Sequence, residues 1–106
     1  MSFKEYLNES NNKKLEEKLL SDFSKISKNI TKVGIYPDDR LADLEVRFTG
    51  SSKDDILSEI SKIISKVENI IKKNVYKVHW KADKSSYSMM ANDKGIHIGV
   101  LFKVTL

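Results

Sequence analysis

Leu15, Leu19, Leu20, Phe23, Ile26 and Ile30 recur at three- and four-residue spacing, with Glu16, Glu17, Lys18, Lys25 and Lys28 between them. That stripe predicts an amphipathic helix of roughly four turns. The period then shortens. Val33-Gly34-Ile35-Tyr36 is a short apolar run, and Pro37-Asp38-Asp39-Arg40 reads as a turn, because proline presets φ and aspartates close turns through their side chains. Leu44, Val46 and Phe48 alternate with Glu45, Arg47 and Thr49, the signature of a half-buried strand. Gly50-Ser51-Ser52 breaks it.

The helical period returns after Ser52. Ser52 with Asp55 three residues on fits a helix start, and Asp54 and Asp55 suit the positive end of the helix dipole. Ile56, Leu57, Ile60, Ile63, Ile64, Val67, Ile70 and Ile71 share one face. Lys72 and Lys73 close the helix, and Asn74 is expected to end it in the left-handed region. So many β-branched residues lower helix propensity, so this helix needs a sheet to lie on. Three further strands are predicted. Tyr76, Val78 and Trp80 alternate with Lys77, His79 and Lys81; Tyr87-Ser88-Met89-Met90 is weaker; Ile96, Ile98, Val100, Phe102 and Val104 alternate with His97, Gly99, Leu101 and Lys103. Between the last two, Asn92-Asp93-Lys94-Gly95 reads as a hairpin turn with glycine where φ > 0 is required.

The expected fold class is α+β. Two amphipathic helices pack on one face of a mainly antiparallel sheet in a two-layer sandwich, in the order α-β-β-α-β-β-β, preceded by a short N-terminal helix. That short helix is read from residues 1–12. Ser2 with Glu5 fits a capping box, and Phe3, Tyr6 and Leu7 make one apolar stripe. Asn8-Glu9-Ser10-Asn11-Asn12 is polar and reads as a joint, leaving residues 13–106 as a single α+β domain.

Composition narrows the chemistry. In 106 residues there is no cysteine, so disulfides, thiolate nucleophiles, zinc fingers and iron–sulfur sites are excluded. No run of about 18 apolar residues occurs, and the first ten residues lack the apolar stretch of a secretory signal. The net charge is +4 and is carried almost wholly by lysine, with Arg40 and Arg47 the only arginines. Lysine is a point charge rather than the planar fork that reads guanine edges, which argues against a sequence-specific DNA reader. Contact with a phosphate backbone stays open.

Strand alternation places Arg47, Lys77, His79, Lys81, His97 and Lys103 on the face away from the helices, a basic surface suited to phosphate or to a protein partner. The same alternation sends Phe48, Tyr76, Trp80 and Phe102 inward, so this face lacks the aromatics on which bases stack. His79 and His97 are the only histidines and share that face, but spacing supplies no third metal ligand. Asp38, Asp39 and Asp43 lack the EF-hand spacing and read as turn chemistry. No phosphate loop, nucleophile elbow or metalloprotease motif occurs, and no cofactor is expected. Met89 and Met90 beside Tyr87 form an adaptable apolar patch, which if exposed marks a protein contact.

Met1-Ser2-Phe3-Lys4-Glu5-Tyr6-Leu7-Asn8-Glu9 follows the pattern aromatic, polar, Glu, aromatic, aliphatic, any residue, Glu. It resembles the capsid-targeting propeptide of the internal head proteins of T-even-type tailed phages. The resemblance implies recognition through Phe3, Glu5, Tyr6 and Leu7 by the prohead core or scaffold. It also implies cleavage by the prohead protease after Glu9, before Ser10. The expected function is then a non-enzymatic virion protein, held in the phage head with the DNA and delivered with it to the host cytoplasm. There it would inhibit a host defence protein or protect the DNA. Loss of residues 1–9 removes Lys4, Glu5 and Glu9 and raises the net charge from +4 to +5. The alternatives from the residues alone are a small basic nucleic-acid-binding module and a protein-interaction or inhibitor domain that dimerises through a strand edge. Neither a membrane nor a small-molecule substrate is expected as a partner.

Overall fold

The computed structural model describes residues 3–80 and 86–106, with side chains for residues 12–79 and 86–106. Its elements run α1 (Phe3–Ser24), β1 (Ile30–Pro37), β2 (Ala42–Gly50), α2 (Lys53–Asn74), β3 (Lys77–Trp80), β4 (Tyr87–Asn92) and β5 (Gly95–Thr105). The five strands form one antiparallel sheet in the order β1-β2-β5-β3, with β4 also paired to β5. Both helices cover one face. The α+β sandwich and its order of elements are therefore as the periodicity implies.

The core lies between the layers. Leu19 and Phe23 of α1 and Ile56, Ile60, Val67 and Ile71 of α2 are buried against Val33, Ile35, Leu44, Val46, Phe48, Ile98, Val100, Phe102 and Val104 of the sheet. β2 and the second half of β5 alternate strictly enough that shifting either by one residue would turn its apolar set to solvent, so packing fixes their register. At the start of α2 the Ser52 side chain accepts from the Asp55 N–H, the expected cap. At its end the expectation fails. Asn74 is helical rather than left-handed, its amide donating to the Ile70 carbonyl at 2.8 Å, and Val75 terminates the helix in an extended conformation. The reason is packing, because an extended Val75 enters the core.

Two boundaries in the first helical region also differ from expectation. No joint interrupts residues 8–12, and the short helix and the longer one are a single helix. Asn and Ser cost a helix only about 0.5 kcal/mol each relative to good formers, too little to break one already docked at Leu15, Leu19 and Phe23. The helix stops at Ser24, short of Ile26 and Ile30. Asn29 and Ser27 both donate to the Glu59 carboxylate of α2, which holds residues 25–29 as a turn and releases Ile30 into β1.

Strands β3 and β4 share one edge of β5. Lys77 to Trp80 lie opposite Thr105 to Lys103, and Tyr87 to Asn92 lie opposite Val100 to Gly95. Seen along β5, they are two pieces of one edge strand. The opposite edge, β1, is guarded: α1 packs along it, and the Glu16 carboxylate accepts the Ile35 N–H at 3.3 Å.

Candidate functional site

Three surfaces hold the residues that the sequence singles out. The first is the beginning of α1. Phe3, Glu5, Tyr6, Leu7, Glu9 and Ser10 all lie in its first turns, and their side chains are outside those described. Among the described side chains, the contacts that pin α1 to the core begin at Leu15.

The second is the sheet face away from the helices. Arg47, Lys77, His79, His97 and Lys103 do stand there, but they do not form a free basic patch. Asp43 and Glu45 have the same parity on β2 and share the face. Arg47 donates to Glu45 at 3.1 Å, and Lys103 donates to Asp43 at 2.8 Å, with Asp38 4.0 Å away. The hydrogen bond to Asp43 raises the Lys103 ammonium above the ordinary lysine range; the charges of Asp43 and Asp38 add to this, and desolvation partly opposes it. Lys77 is exposed at the sheet's end, and Lys81 lies outside the described residues. The acidic loop is turn chemistry as expected. Asp38 N–H donates to the Leu41 carbonyl, and the Asp38 carboxylate accepts the Asp39 N–H at 2.9 Å.

The two histidines stay apart although their strands are neighbours. His79 bonds the Thr105 hydroxyl at one end of β5, whereas His97 lies eight residues back along the same strand, about 27 Å away at 3.4 Å per residue. His97 belongs to a polar row across four strands. Thr31 and Thr49 hydroxyls are 2.8 Å apart, Thr49 is 3.0 Å from His97 Nδ1, and His97 Nε2 is 3.3 Å from Asn92 Oδ1. Among the described residues no group of three or more His, Asp or Glu is placed to hold a metal ion.

The aromatic placements divide. Phe48 and Phe102 are fully buried as expected. Tyr76 is instead 84 % exposed. It precedes β3, and because Lys77 is opposite Thr105, Tyr76 falls beyond the last paired residue, where no layer covers it. A register shift between Val78 and Trp80 sets Trp80 opposite Lys103; its side chain is outside those described. Tyr36, the last residue of the apolar run that begins at Val33, is half-exposed on the outer face with its ring across Gly34. Its odd spacing from Ile35 was the available signal.

The third surface joins β4 to α2. Met89 and Met90 are 53 % and 52 % exposed, on opposite faces of β4. Beside Met89 a cleft of about 380 Å³ opens, walled by Leu57, Ser58 and Ser61 of α2, floored by Tyr87, Met89 and Ile98, with Lys53 at its rim. The sequence identified the methionines but not the cleft, which depends on where the helix layer ends.

No protein-family model matches the chain, and no curated protein or solved structure is significantly similar to it. Among the described residues no helix is long and apolar enough to cross a membrane.

Proposed function

We propose that this chain is a non-enzymatic internal head protein of a T-even-type phage, addressed to the prohead by residues 1–9, trimmed after Glu9, and active afterwards by binding. The observation that carries this reading is the run from Phe3 to Glu9, which sits in α1 ahead of Leu15, its first core anchor among the described side chains. A removable address needs that arrangement, because its loss must not unseat the domain. The polar run after it has a use in the trimmed chain. Ser10, Asn11 and Asn12 are all strong N-cap residues, ready to close the new helix end before Lys13.

The body's target is better read as a host defence protein than as the DNA backbone. Arg47 and Lys103, the central cations of the outer face, already hold carboxylate partners, which lowers what phosphate would gain from them. The test is co-expression with a T-even-type prohead protease. A product beginning at Ser10 is expected by mass spectrometry, and Glu9→Gln should stay uncut. An intact Glu9–Ser10 bond in the unaltered chain would sink the proposal.

A second reading, a protein-interaction domain working through a strand edge, is favoured by the exposed methionines and the cleft at β4.

A further inference from the structure

The two edges of the sheet are managed differently. The β1 edge has α1 along it, the Glu16 carboxylate on one of its N–H groups, an exposed Lys32, and Pro37 at its end. These are the usual defences against a further strand. Among the described residues β4 has none of them. It pairs only with β5 among the described strands, and residues 85–92 carry no charged side chain in a chain that is 32% charged.

The hairpin sets which backbone groups of β4 turn outward. Asn92 and Gly95 flank a two-residue turn, so they exchange both hydrogen bonds. Alternation then directs Met90 and Ser88 toward β5 and turns the N–H and C=O of Ala91 and Met89 away from it. The Met89 side chain, on the helix-covered face, stands opposite Ile98 and at the cleft.

We propose that the strand completing this edge is β4 of a second copy of the chain, paired antiparallel about a two-fold axis through Met89. The register is self-complementary. Met89 exchanges both backbone bonds with its counterpart. Ala91 faces the counterpart's Tyr87, small against large on the helix-covered side, and Ser88 faces the counterpart's Met90 on the other. Each Met89 then covers the other's cleft with apolar surface. The paired segment, Tyr87 to Ala91, is neutral, so no charged side chain meets its like within it although each chain has net charge +4. The contact is one six-residue strand against its copy, small for a specific interface, so the association is weak and reversible. This pairing is independent of the packaging reading, since residues 1–9 take no part in it.

The test is sedimentation velocity of the full chain over a concentration series. A monomer–dimer equilibrium is expected, the monomer being 12.2 kDa. Met89→Lys sets two cations on the axis and should weaken association at least tenfold, and Met89→Glu should do the same. An equimolar mixture of the two should restore it, a result that misfolding of either variant could not give. Met90→Lys, on the outer face, should still dimerise. A monomer at every concentration up to about 0.5 mM would overturn the proposal and leave a strand from a different protein as the occupant. A dimer indifferent to Met89→Lys would overturn it as well.

Discussion

Gly95, at the start of β5, lies against the carbonyl of Gly50, at the end of β2: a Cβ on Gly95 would come within 2.7 Å of that oxygen. Its φ is +121°, the only positive value among the described residues. The hairpin between β4 and β5 and the seam between β2 and β5 thus meet at one position that admits no side chain. Both constraints act on backbone, which cannot swing aside. Gly95→Ala should cost about 1–3 kcal/mol of unfolding free energy, from strain plus the close contact. Urea denaturation measures it. A loss below about 0.5 kcal/mol would show that the turn relaxes freely.

That glycine was legible from Asn92-Asp93-Lys94-Gly95, as were the strand of Leu44, Val46 and Phe48 and the helix stripe from Ile56 to Ile71. In each the local pattern and the final packing agree, so sequence periodicity suffices. It failed at Ile30, which continues a helical spacing but is claimed by β1 once Glu59 gathers Ser27 and Asn29. That choice is made by a residue thirty positions away. The outer face was half legible. Parity placed Arg47 and Lys103 correctly, and the same parity applied to Asp43 and Glu45 would have predicted their partners. The β4 cleft was not legible, because it exists only where α2 stops short of covering the edge.

Phe23 is fully buried in the core, whereas the first nine residues precede every anchor of α1 among the described side chains. Phe23→Ala should therefore cost about 3–5 kcal/mol, the transfer term plus an unfilled cavity. A chain beginning at Ser10 should lie within about 1 kcal/mol of the full chain, because helix stability comes mainly from packing and Ser10 to Asn12 can cap the new end. Chemical denaturation of the two chains decides the point. A large loss on truncation would mean that residues 1–9 belong to the domain, and would tell against their being removed in normal processing.

Lys103 and Asp43 form the best-placed ion pair of the outer face, at 2.8 Å. The folded state raises the Lys103 pKa, first through that hydrogen bond, then through the charges of Asp43 and Asp38. A group raised on folding stabilises fully below its unfolded value and loses that contribution as pH climbs through the higher folded value. Stability from this pair should thus be intact at neutral pH and decline only above the ordinary lysine value of 10.5. Asp43→Asn should bring the Lys103 midpoint back down toward it. Following the Lys103 ε-methylene by NMR from about pH 9 to 12 reads the shift directly. An unchanged midpoint would show that Asp43 does not hold the ammonium in solution.

The row Thr31–Thr49–His97–Asn92 fixes a proton as well as a position. The Lys94 N–H donates to Asn92 Oδ1 at 2.8 Å, which orients that amide with its oxygen toward His97. His97 Nε2 must then carry the hydrogen it donates to Asn92, leaving Nδ1 to accept from the Thr49 hydroxyl, which in turn accepts from Thr31. Every donor in the row points the same way, linking β1, β2, β5 and β4 across the outer face. Long-range ¹H–¹⁵N NMR of the neutral imidazole should show the Nε2–H tautomer. Thr49→Val removes the donor to Nδ1 and both of its hydroxyl contacts, so it should cost about 1 kcal/mol and let the Nδ1–H form appear. A neutral ring that is already Nδ1–H in the unaltered protein would reverse the direction of the whole row. Asn92 would then have to offer His97 its amide nitrogen and give up the Lys94 turn.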